Sequence, residues 1–61
     1  MTTYEEQREC AERELKLRKR VYPNLVLRGR MTQQKADWEI RTMEHIVITL
    51  RALEEHEEKL L

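Results

Sequence analysis

Apolar residues in the second half of the chain fall at Ala36, Ile40, Met43, Ile46, Val47, Leu50, Leu53 and Leu60. Steps of three and four residues put them on one side of a helix, so the pattern predicts a helix over about 33–59 with one continuous apolar stripe. The first half is less regular. Wound at about 100° per residue, its apolar residues divide into two shoulders, Cys10, Leu17 and Val21 on one and Ala11, Leu15 and Tyr22 on the other. Gln7, Glu14, Arg18 and Leu25 lie between them. Glu14 with Arg18 sets a charged pair in the middle of an apolar face, where a desolvated ion pair rarely improves on apolar residues. Either the pair fixes the register of an oligomer or contacts a ligand, or the two shoulders serve separate packing surfaces with Arg18 snorkelling between them. The rarity of charged groups in fully buried sites favours the second reading.

Local signals place the boundaries. Thr3 followed by Glu6 is a capping box, which starts the first helix at Tyr4. Glu9/Arg13, Glu12/Lys16 and Glu14/Arg18 each put a carboxylate four residues before a cation, the favourable order on a helix. Pro23 lacks an N–H and crowds the carbonyl of Lys19, so the helix is expected to bend or restart near Tyr22 and continue through Asn24 to Arg28. Gly29 supplies a left-handed residue after the helix, Met31 is placed for the hydrophobic contact that accompanies such an ending, and Thr32 caps the second helix. The elements are a helix over about 4–28 kinked near Pro23, a turn over 29–32, and a helix over about 33–59, in a single domain over 1–61.

Length changes what this hairpin needs. At 61 residues the chain lies below the size at which one core comfortably outweighs chain entropy. A single cysteine, Cys10, rules out a disulfide within one copy. Oligomerisation is the remaining route, so the predicted fold is all-α: a kinked antiparallel helical hairpin assembling into a homo-oligomeric bundle. One Gly, one Pro and no Phe, beside abundant Glu, Arg, Lys and Leu, agree with long helices and little loop. The N-terminus lacks the apolar core of a signal peptide, and the run Ile46 to Leu50 is far too short to cross a bilayer. A cytoplasmic, reducing location is the expectation, with no membrane partner.

Charge order is the most informative pattern. Between Leu15 and Ala36 stand Lys16, Arg18, Lys19, Arg20, Arg28, Arg30 and Lys35 with no acidic residue, whereas Glu5, Glu6, Glu9, Glu12 and Glu14 crowd the start and Glu54, Glu55, Glu57 and Glu58 the finish. An antiparallel hairpin therefore has a basic elbow and an acidic open end, although the formal net charge is zero. Self-association explains this if an antiparallel dimer sets each elbow against its partner's open end. Ligand binding explains it if Arg18, Lys19, Arg20, Arg28 and Arg30 beside Tyr22 hold a phosphate-bearing nucleotide through guanidinium forks and a stacking ring. Matched charges need no outside partner, which favours the first.

A second stripe of Trp38, Arg41, His45, Ile48 and Ala52 runs along the flank of the second helix. Trp and Arg are enriched at interface hot spots, so the stripe, together with Glu14, is a candidate contact between subunits or with another protein. Trp38 capping the end of its own hairpin is the plainer alternative. Catalytic chemistry finds no support. His45, His56 and Cys10 are not at zinc-ligand spacing, and serine and a glycine-rich phosphate loop are absent, so neither an enzyme, a metal nor a cofactor is expected. A sequence-specific DNA reader fits badly, because two long arms leave no third helix to brace a short recognition helix.

The segment from Glu12 to Met43 resembles a family of small helical proteins of bacteriophages and prophages. The likeness is carried by V-Y-P at Val21, Tyr22 and Pro23, by G-x-M-T at Gly29, Met31 and Thr32, and by A-x-x-E-I-x-x-M at Ala36, Glu39, Ile40 and Met43. It covers about half the chain and implies a helical fold in an infected or lysogenic bacterial host, without an established activity. In that setting two functions are in view: counter-defence sequestration of a phosphate-bearing nucleotide signal, and a protein-interaction module that inhibits or adapts a host or phage protein. A structural role in a phage particle is a weaker third.

Overall fold

The computed structural model describes residues 1–60, and among them the chain forms two antiparallel helices, α1 (Tyr4–Leu27) and α2 (Gln33–Lys59), packed as a hairpin. The capping box closes at both ends: the Glu6 N–H donates to Thr3 Oγ1 at 3.0 Å, and the Thr3 N–H donates to Glu6 Oε1 at 3.1 Å. Two of the otherwise orphaned donors at the start of α1 are thereby satisfied.

The end of α1 is a Schellman turn. Gly29, at φ 72°, donates its N–H to the Val26 carbonyl at 3.0 Å, and Arg30 donates to the Leu25 carbonyl at 2.9 Å. The residue closing the outer bond is thus Arg30, not Met31, because the helix gives way at Arg28 and the motif counts from there. Thr32 then caps α2 by accepting from the Lys35 N–H at 3.1 Å. Pro23 does not divide α1, which continues as helix through Leu27. Pro23 is exposed, so water can reach the Lys19 carbonyl whose usual donor is missing.

The core is thin. Ala11, Ala36, Met43 and Val47 are the buried hydrophobic residues, with Leu15 and Leu50 packed half-buried against them. α2 therefore does not present one continuous stripe to α1. Ala36, Met43 and Val47 face inward, while Ile46, Leu53 and Leu60 remain 41%, 38% and 73% exposed. On α1 the hairpin takes the shoulder of Ala11 and Leu15 and leaves Cys10 and Leu17 exposed. The accessible surface of 5161 Å² exceeds the roughly 4,200 Å² expected of a compact 7.5 kDa chain. Its radius of gyration, 14.3 Å, likewise exceeds about 10.5 Å for a globule of this length. No described helix is long and apolar enough to cross a membrane.

Truncating the buried side chain in Met43→Ala should destabilise the hairpin by about 2 kcal/mol or more, whereas Ile48→Ala, at an exposed site, should stay within about 0.5 kcal/mol. Gly29→Ala should cost about 1 kcal/mol from the left-handed backbone alone, since an added Cβ there meets nothing within 4 Å. Urea unfolding followed by circular dichroism at one fixed protein concentration measures all three.

Candidate functional site

Two surfaces remain for function: the sides of the hairpin and its two charged ends. Between the helices, ion pairs form a ladder. At the open end Arg8 donates to Glu54, and Arg51 donates to Glu12 at 2.8 Å. Arg8 also reaches Glu12 at 3.3 Å, so the four side chains make one network. Toward the elbow Lys19 approaches Glu44 at 3.6 Å. Of the three pairs anticipated along α1, Glu14–Arg18 alone closes among the described residues, because Glu12 is drawn one turn back and across to α2 instead.

Arg18 is the most committed cation. Its Nε donates to Glu14 Oε1 at 3.0 Å, and its Nη1 donates to the Glu39 carbonyl at 3.0 Å and to Glu39 Oε2 at 3.1 Å. The guanidinium lies 5.9 Å from the centre of the Tyr22 ring. The Glu14 hydrogen bond, outweighing partial desolvation, raises its pKa above the usual arginine value. Arg18 thus joins Glu14 on its own helix to Glu39 on the other and ties α1 to α2. The Glu14–Arg18 pair lines a groove with Ala11, Met43, Ile46 and Leu50, and Arg18 is paired a second time, across the helices, with Glu39.

The six candidate phosphate ligands differ in how they are held. Arg18 and Lys19 are held by carboxylates and Tyr22 is half-buried beside Arg18. Arg20, Arg28 and Arg30 are exposed, and no described carboxylate pairs with them. The residues of the second stripe, Trp38, Arg41, His45, Ile48 and Ala52, are all exposed along one face of α2. Trp38 lines a shallow groove with Thr32, Gln34 and Lys35, whose Nζ stands 5.2 Å from the ring centre. His45 borders a groove with Thr42, Ile46 and Thr49, and Ile48, one turn on, borders another with Leu15 and Val47. Arg41 is exposed on the outer face of α2.

The surface that emerges instead is the flank of an open groove of about 510 Å³, lined by Cys10, Glu14 and Arg18 of α1 and by Met43, Ile46 and Leu50 of α2, with Leu17 and Leu53 exposed seven residues beyond Cys10 and Ile46. Sequence periodicity had merged Ile46 and Leu53 with the inward stripe. Their seven-residue spacing, continued at Leu60, was the signal that separates them. Among the described residues no group of three or more His, Cys, Asp or Glu side chains is placed to hold a metal ion.

Two carboxylates link the hairpin to pH. Hydrogen bonds from the Thr3 backbone and hydroxyl hold Glu6 below the usual 4.5, and the Arg51 hydrogen bond, joined by Arg8, holds Glu12 below it. Both depressed values stabilise the fold above about pH 4.5, and that contribution is lost as pH falls through the lower folded values. Acid titration of the urea midpoint should therefore show a decline beginning near pH 4.5, shallower in a Glu6→Gln/Glu12→Gln variant. An identical slope in that variant would remove these two groups as the cause.

No family model, curated protein or solved structure matches the chain.

Proposed function

We propose that the protein is a non-enzymatic binding module whose hairpins assemble with one another and act by protein–protein contact, inhibiting or adapting a host or phage polypeptide. The observation that carries this reading is the uncovered flank of Cys10, Leu17, Ile46 and Leu53 beside a core of only a few buried side chains. Large apolar side chains exposed on so small a chain cost solubility unless another surface covers them. The likeness of the Glu12–Met43 segment to phage and prophage helical proteins supports the setting, and small inhibitors that act by stoichiometric contact need no catalytic chemistry.

A nucleotide-sequestering function is the second reading, favoured by Arg20, Arg28 and Arg30, which no described carboxylate neutralises. It would use these three ahead of Arg18, whose Nε and Nη1 already donate to Glu14 and Glu39.

Sedimentation equilibrium from low to high micromolar concentration should show a self-associating species, and a folded monomer throughout would overturn the proposal. Calorimetric titration with cyclic and linear nucleotides at two salt concentrations decides the second reading. Saturable heat that disappears in Arg28→Ala/Arg30→Ala would establish it in place of the first.

A further inference from the structure

The pattern of α2 says what kind of surface would cover the flank. Ala36, Met43 and Leu50 recur every seventh residue, as do Ile40 and Val47, and these two series form the seam against α1. A pair of helices needs only those two positions in seven. Ile46, Leu53 and Leu60 add a third apolar series immediately beside the seam, at a position that two-stranded coiled coils usually give to charged residues. Three apolar positions in seven is the pattern of a helix with neighbours on two sides, as in a bundle. The missing neighbour is therefore a helix.

Charge selects which helix and which direction. Ile46 is the midpoint of α2, and Lys35 and Glu57 lie equally far from it on either side, each close to a whole number of turns away. All three thus fall along one line of the helix, with a cation toward the elbow, Lys35, whose Nζ is 3.0 Å from Glu39 of its own helix and 58% exposed, and a carboxylate toward the open end. A parallel copy would set Lys35 on Lys35 and Glu57 on Glu57. An antiparallel copy sets Lys35 on the partner's Glu57 at both ends, and brings Arg28 and Arg30 beside the partner's acidic terminus. Among the described residues Glu55, Glu57 and Glu58 have no ion-pair partner within their own chain, and neither do Arg28 and Arg30.

Area fits the same occupant. The hairpin measures 49 × 17 × 16 Å, so one side offers a footprint of about 800 Å², the share that each partner contributes to a stable interface of standard size.

We propose that the flank of Cys10, Leu17, Ile46 and Leu53 is covered by a second copy of this chain, antiparallel about a two-fold axis near Ile46, with each basic elbow docked on its partner's acidic end. This rests on the reading of the protein as a self-associating module and adds to it the face, the direction and the ionic contacts. In this dimer the elbow arginines are neutralised by the partner copy, and the four helices form one bundle. The Trp38 and Ile48 side of α2 remains outward, available to other polypeptides.

Sedimentation equilibrium of the full chain and four variants provides the test, with circular dichroism confirming helicity in each. Ile46→Arg should raise the dissociation constant by about 30-fold or more, the loss typical of a central interface residue. Ile48→Arg, on the opposite side, should leave it unchanged. If Ile46→Arg fails to fold, Ile46→Thr serves in its place and should weaken association in the same direction. Lys35→Glu and Glu57→Lys should each weaken association, the double variant should restore it, and both effects should shrink in molar salt, where screening is nearly complete. Single reversals without effect would overturn the antiparallel arrangement, since a parallel pair merely exchanges one like-charge contact for another. Association of the wild type that is indifferent to Ile46→Arg and Ile46→Thr would overturn the proposed face while leaving self-association intact. A wild-type chain monomeric at every concentration would overturn both.

Discussion

Each helix of this protein has one neighbour, and that constraint governs the rest of the structure. A single packed helix hides only the stripe that faces it, and any apolar position to either side stays in contact with water. α1 and α2 each carry more apolar surface than one stripe. Only Ala11, Ala36, Met43 and Val47 reach full burial, and two of these are alanines that contribute closeness rather than area. The hydrophobic effect scales with apolar area removed from water, so the hairpin by itself harvests a modest part of what its sequence carries. Part of what is left over lies along one flank, with Cys10 and Leu17 on α1 and Ile46 and Leu53 on α2, while Trp38 and Ile48 stay exposed elsewhere on α2.

Charges complete the division of labour. Those near the middle of the hairpin join the two helices, through Arg8–Glu54, Arg51–Glu12, Arg18–Glu39 and Lys19–Glu44. Exposed pairs of this kind contribute little energy individually. Their arrangement along the interface nevertheless favours one alignment of the helices, because sliding α2 by a turn would separate every pair at once. Several charges nearer the two tips have no such partners among the described residues. Arg28 and Arg30 at the elbow and Glu57 and Glu58 at the open end remain exposed with opposite signs, at a separation that a reversed second copy would match. The distinction alters the functional reading, since Arg18 belongs to the pairs that join the helices and Arg28 and Arg30 to the pole.

Much of this was legible in single residues with local effects. Thr3 and Glu6 form the capping box they suggest, Gly29 takes the left-handed conformation, and Thr32 caps α2, because each depends on bonds within four residues. Pro23 bears on α1 as a missing hydrogen bond on an exposed turn, which weakens a helix without ending it, and α1 continues through it to Leu27. The partners of Glu12 were not legible at all. On α1 alone Lys16 lies four residues ahead at the favourable spacing, and only the placement of α2 brings Arg51 to 2.8 Å.

The sequence by itself determined the two helices, their caps, the turn between them and the opposition of a basic elbow to an acidic open end, because helical periodicity, capping and charge order are local or linear properties of the chain. Tertiary structure alone decided which half of the apolar surface α1 and α2 hide from water. It turned a single predicted stripe into an inner seam through Met43 and Val47 and an outer line through Ile46 and Leu53. It also assigned Arg18 to Glu39 across the hairpin. The physical reason is the same in both cases: residues one position apart on a helix point about 100° apart, and which of them is inside depends on where the neighbouring helix lies.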